Sequence, residues 1–153
     1  MMTDDPIPLI VRRKIQAPRS RIFDAFTQAN AIAQWFSPAR DIVVEVLEFN
    51  FVPGGHFKLL WSLPDGRKPA VGGIFEQIDQ SSQIVMSWTW QAPDPLENIP
   101  MRVTFRFVDR REATEVTVIH EGIPTDLACT VHADGWEGTL TNLESFLQRK
   151  SIA

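Results

Sequence analysis

Three consecutive segments of this chain alternate apolar and polar residues with a period of two. In IVMSWTWQ (84–91), Ile84, Met86, Trp88 and Trp90 face one way; Val85, Ser87, Thr89 and Gln91 face the other. In MRVTFRFV (101–108), Met101, Val103, Phe105 and Phe107 oppose Arg102, Thr104 and Arg106. TEVTVIHE (114–121) sets Val116, Val118 and His120 against Glu115, Thr117 and Glu121. Clean alternation on successive strands is the mark of an antiparallel sheet with one wet face and one covered face. The cover comes from the C-terminal segment, where Trp136, Leu140, Leu143 and Leu147 fall on a single helical stripe. Thr125 reads as the N-cap of that helix, and Asp126 suits the positive end of its dipole.

The rest of the chain fits the same plan. LIVRRKIQ (9–16) reads as a first strand, with Arg12, Arg13 and Lys14 on a solvated edge. PRSRIFDAFTQ (18–28) reads as a helix with Pro18 in its first position, where a missing N–H costs nothing. Asn30 can cap a second short helix that carries Ile32, Trp35 and Phe36 and stops before Pro38. Strands follow at 41–49, 56–62 and 70–78, with turns at Pro53-Gly54-Gly55 and Pro64-Asp65-Gly66. Gly72-Gly73 suggests a bulge or bend. A hairpin of the last two strands would bring Arg102 opposite Glu121.

Six or seven strands about 4.8 Å apart make a surface roughly 25 Å wide, whereas a helix is about 10 Å across. The sheet must therefore curl around the long helix, and an incomplete closure leaves an apolar pocket between them. Gly135 and Gly138, beside Trp136, each cost the helix about 1 kcal/mol relative to alanine. Either they lie at the mouth of that pocket, or they permit close packing around Trp136.

The inner stripes supply the candidate binding residues: Trp61, Phe75, Trp88, Trp90, Phe105, Phe107 and Trp136 as walls, with His120 and His132 as polar groups. His120 shares its face with Val116 and Val118, so it points inward, and burial would keep it neutral. It is the one candidate for acid–base catalysis on the inner stripes of these strands, with a structural hydrogen-bonding role as the plainer alternative. His132 stands one turn before Trp136 and could edge the same opening, with a solvent-facing position as the plainer alternative. His56 faces outward and Cys129 lacks an activating neighbour. The three histidines have no metal-ligand spacing, so neither a metal nor another cofactor is expected.

Length and charge narrow the classes further. The 153 residues suit one domain, with its core at about 9–149, and the net charge of −4 gives no general attraction to nucleic acid. No apolar run is long enough to span a membrane, and the acidic start MMTDDPIPLI does not resemble a signal peptide, so a cytoplasmic protein is expected.

In their order and spacing, several stretches match a known family. APRSRIFDAFT opens the first helix, QWFSP closes the second, and FVPGGHFKL leads into the third strand. GGIFEQID, IVMSWTW, TEVTVIHEGIP and GWEGTLTNLESFL follow. Over about residues 9–149 the chain resembles the activator of heat-shock-protein-90 ATPase-like family of the START and birch-pollen-allergen-like (SRPBCC) superfamily. The resemblance implies a helix-grip fold: a curved antiparallel sheet around a long C-terminal helix, with two short helices after the first strand. Its relatives include ligand carriers, polyketide cyclases and aromatases. The leading expectation is a binder of a small hydrophobic molecule between sheet and helix. The alternatives are an enzyme of cyclase, aromatase or hydrolase type using His120, and a protein-interaction module, co-chaperone-like or homodimeric.

Overall fold

A computed structural model describes residues 7–152; the N-terminal residues 1–6, on which part of the signal-peptide argument rests, lie outside it. The elements run β1 (Leu9–Ile15), α1 (Arg19–Asp24), α2 (Ala29–Trp35), β2 (Val43–Phe49), β3 (His56–Ser62), β4 (Ala70–Asp79), β5 (Gln83–Trp90), β6 (Met101–Arg110), β7 (Ala113–Glu121) and α3 (Asp126–Ile152). The seven strands form one antiparallel sheet in the order β1-β7-β6-β5-β4-β3-β2, curled around α3 in a helix-grip fold. The two edge strands are the two that α1 and α2 connect.

Period-two patterning sets which face each strand buries. Ile84, Met86 and Trp88 on β5 are buried, as are Met101, Val103, Phe105 and Phe107 on β6 and Val116, Val118 and His120 on β7. The stripe Trp136, Leu140, Leu143 and Leu147 of α3 closes over them, all four buried. The amide of Ala128 donates to Thr125 Oγ1 at 3.1 Å, so the threonine caps α3 as its position suggests. Thr125→Ala should cost about 1 kcal/mol in urea denaturation, with an unchanged m-value.

Several local details differ from the sequence reading. Asn30 lies inside α2 rather than capping it, and neither α1 nor α2 has a side-chain cap. Both short helices are held by burial of Ile22, Phe23, Ile32 and Trp35 instead. Gly72 and Gly73 pair regularly with Lys58 and Phe57, and the β-bulges fall at Val46/Glu48 and Phe75/Gln77. What Gly73 provides is room: a Cβ there would run into the Ser87 side chain and backbone, and Ser87 Oγ accepts the Ile74 amide at 2.8 Å. Arg102 stands opposite Glu121 in the β6–β7 register, but its Nε pairs with Glu76 at 2.8 Å. Arg13 is not on a solvated edge. It shares the inner face of β1 with Val11 and Ile15, and it meets Glu144 of α3 at 2.8 Å.

Where the sheet faces the short helices, the expected space is nearly filled. The void walled by Phe26, Ile32, Phe36, Phe49, Phe51, Phe57, Leu59, Phe75, Ile84 and Met86 measures about 10 Å³, room for at most one water. The cover that one helix cannot give comes from the short helices. Phe26 and Phe36, at or just past the ends of the short helices, reach into the gap that α3 leaves: Phe26 packs edge-on against Phe107, Phe36 against Phe105 and Trp136, and Trp35 backs Phe26. Trp61 and Trp88 fill the rest, each within 6.4 Å of the Phe36 ring centre.

The glycines of α3 are not at a pocket mouth either. A Cβ at position 138 would collide with the Pro38 carbonyl, reaching 2.8 Å from its carbon, while one at 135 would meet nothing nearer than 4.0 Å. Gly138 is where the loop after α2 crosses the helix. Asn142 Nδ2, one turn on, donates to the Ser37 carbonyl at 2.8 Å and fixes the same crossing.

Candidate functional site

The strands bring three tryptophans and two histidines together where the ends of β5 and β7 meet the first half of α3. Trp88 and Trp90 come from β5, His120 from β7, and His132 and Trp136 from α3. Neighbouring rings are in contact: Trp88–His120 at 5.9 Å between centres, Trp88–Trp136 at 5.4 Å, His120–His132 at 4.8 Å and Trp90–His132 at 6.0 Å. Trp61 joins at the side through Trp88 and Trp90, and Phe105 through Trp136. The remaining two residues singled out from the sequence lie elsewhere. Phe75 packs with Phe49, Phe51 and Phe57, and Phe107 packs with Phe23 and Phe26.

Hydrogen bonds fix the proton positions on both imidazoles. Trp136 Nε1–H donates to His120 Nδ1 at 3.0 Å, so in neutral His120 the proton sits on Nε2. His132 Nδ1 lies 2.8 Å from the Ala128 carbonyl and therefore carries its proton, leaving Nε2 to accept Trp90 Nε1–H at 3.2 Å. Burial first, and the neighbouring His132 second, push the His120 pKa from the ordinary 6.5 down to about 3. His120 is thus neutral at physiological pH. It is also the one titratable side chain among the described residues that is classed as buried.

Two donors in this cluster have no partner among the described residues. Trp35 and Trp61 donate to the Ala25 and Phe36 carbonyls, and Trp90 and Trp136 to the two histidines. Trp88 Nε1–H, on a residue only 2% exposed, has no acceptor, and neither does His120 Nε2–H, on a residue 1% exposed. Leaving a buried donor unsatisfied costs about 1–3 kcal/mol, so each such group calls for an explanation.

The outer side of the cluster is less tightly built. Along the first turns of α3, Leu127 and Val131 are 76% and 61% exposed, and Ala128, Cys129 and His132 are half-buried. Continuous burial begins only with the stripe at Trp136. The i, i+4 spacing of Leu127 and Val131 marks an apolar strip at the start of the helix, a signal present in the sequence. Phe36, read from the sequence only as part of the second short helix, contacts Trp35, Trp61, Trp88, Phe105 and Trp136.

The family model described as activator of Hsp90 ATPase homolog 1-like protein matches residues 16–148. The chain belongs to this family. Solved structures agree. A Chromobacterium violaceum protein superposes with a TM-score of 0.80 at 23% identity, over 92% of this chain and 96% of that one. A Staphylococcus epidermidis protein gives 0.77 at 25% identity, over 98% and 95%. The AHSA1 protein of Silicibacter pomeroyi gives 0.82 at 17% identity, over 94% and 99%. No curated protein matches the chain. The fold that the Hsp90-activator-like family brings is consistent with ligand binding. Among the described residues no helix is long and apolar enough to cross a membrane, and no group of three His, Cys, Asp or Glu could hold a metal ion.

Proposed function

We propose that this protein binds a small hydrophobic molecule among Trp88, Trp90, His120, His132 and Trp136, between the sheet and the first half of α3. The observation that carries the reading is the pair of buried, unpartnered N–H donors inside an aromatic cluster. Ligand sites combine apolar walls with a few polar groups that fix orientation, and this cluster has that composition. The tight packing means that a ligand enters by displacing the first turns of α3. That segment bears exposed Leu127 and Val131 and meets β5 through the Trp90–His132 hydrogen bond. The opened state is a minor population, so affinity is reduced by the fraction closed. The free thiol of Cys129 accords with the cytoplasmic setting we assign. The same geometry weighs against general-base chemistry. His120 Nδ1 is occupied by Trp136, and no buried carboxylate or lysine stands beside it.

The test is a panel of flat hydrophobic compounds, read by native mass spectrometry and by the indole N–H signals of the five tryptophans. Binding should shift Trp88, Trp90 and Trp136 and spare Trp35, which is bonded to Ala25 in the short-helix layer. If no compound is retained and no indole signal moves, the protein is not a carrier of this kind.

A further inference from the structure

The polar half of the cluster is one-sided, and this narrows the ligand class. Each nitrogen in it has an assigned role. His132 Nε2 and His120 Nδ1 already accept indole protons, and His132 Nδ1 gives its proton to Ala128. What remains unused is donors: Trp88 Nε1–H and His120 Nε2–H, on adjoining rings 5.9 Å apart. A ligand hydroxyl or amine brings a donor of its own, which would find no free nitrogen acceptor here. A carboxylate would be accepted geometrically, but no Lys or Arg is among the buried residues to offset its desolvation. A neutral carbonyl oxygen supplies lone pairs without either penalty. The surrounding indole and imidazole rings offer flat faces to an aromatic or conjugated body.

We infer that the ligand is a neutral, flat carbonyl compound — an aryl ketone, quinone or ester — whose oxygen accepts the Trp88 indole proton. This rests on the binding site proposed above, and the two ideas separate in one experiment. The probes are 9-fluorenone and fluorene, which share a tricyclic frame and differ by the carbonyl. Fluorenone should bind at least about tenfold more tightly, the expected worth of one hydrogen bond that would otherwise go unmade. The Trp88 indole proton should move downfield with fluorenone and not with fluorene. Trp88→Phe should erase the preference, leaving fluorenone and fluorene with equal affinity in that variant, and the wild-type pair carries the test if the variant does not fold. Equal affinity for both compounds overturns the carbonyl assignment and leaves the hydrophobic site standing. Tight fluorenone binding with the Trp88 proton unmoved also overturns it. Binding of neither compound overturns both.

Discussion

Gly138→Ala will destabilise the protein by about 2–3 kcal/mol, while Gly135→Ala, three residues away on the same helix, will stabilise it by about 0.5–1 kcal/mol. Both changes gain the same helix propensity. They differ in what the new methyl group meets. At 138 it meets backbone: the Pro38 carbonyl carbon at 2.8 Å and the Pro38 Cα at 3.2 Å, with the carbonyl oxygen closer still. Pro38 cannot swing aside as a flexible side chain would. Trp35 and Phe36 anchor the chain just before it, both buried, and Ser37 Oγ lies 2.7 Å from the Ala39 carbonyl and 2.6 Å from the Ile42 carbonyl in the same loop, with one proton to share between them. The helix must lift or the loop must shift, and either loosens the Phe36–Trp136 contact. At 135 nothing lies closer than the Pro38 Cβ at 4.0 Å, so propensity acts alone. Thermal and urea denaturation of the two variants decide the matter. Two variants of equal stability would mean that the helix and the loop do not cross as closely as described.

Stability should also fall steeply on mild acidification, through His120. In the folded protein its pKa is pushed down to about 3, against 6.5 for the ordinary side chain. Because the folded value is the lower one, the unfolded chain takes up the proton first as the pH drops. The contribution from keeping His120 neutral is complete above pH 6.5 and is lost progressively between 6.5 and about 3. The slope is about 1.4 kcal/mol per pH unit, so roughly 2.7 kcal/mol is gone by pH 4.5. Carboxylates that titrate in the same range complicate a single curve, and a variant removes them by difference. His120→Gln keeps an acceptor for Trp136 Nε1–H and cannot charge, so its stability should decline less between pH 6.5 and 4.5. Parallel curves for the two proteins would exclude the effect. Independently of any variant, the His120 ring resonances should show no titration down to the acid unfolding transition.

How far the chain could be read beforehand depended on the range of the interaction involved. Alternation at 84–91, 101–108 and 114–121 placed His120 and Trp88 on the covered face, with Trp90 half-buried at its end, because strand pleat is a local property of φ and ψ. The stripe at Trp136, Leu140, Leu143 and Leu147 followed in the same way from helical pitch. Those two local periods, with one N-cap at Thr125, determine the α+β architecture and the identity of the buried face.

Tertiary structure alone decided how the volume between those faces is filled. No period shows that Phe36 would reach the centre of the ring cluster, or that Arg13 would turn inward to Glu144. Nor does any local signal distinguish Gly138 from Gly135, since the difference is a loop backbone about a hundred residues earlier in the chain. The same holds for the unpaired protons on Trp88 and His120. Which buried nitrogen finds an acceptor depends on where five rings from three separate elements come to rest, and that is fixed by close packing in three dimensions, not by the order of residues along any one of them.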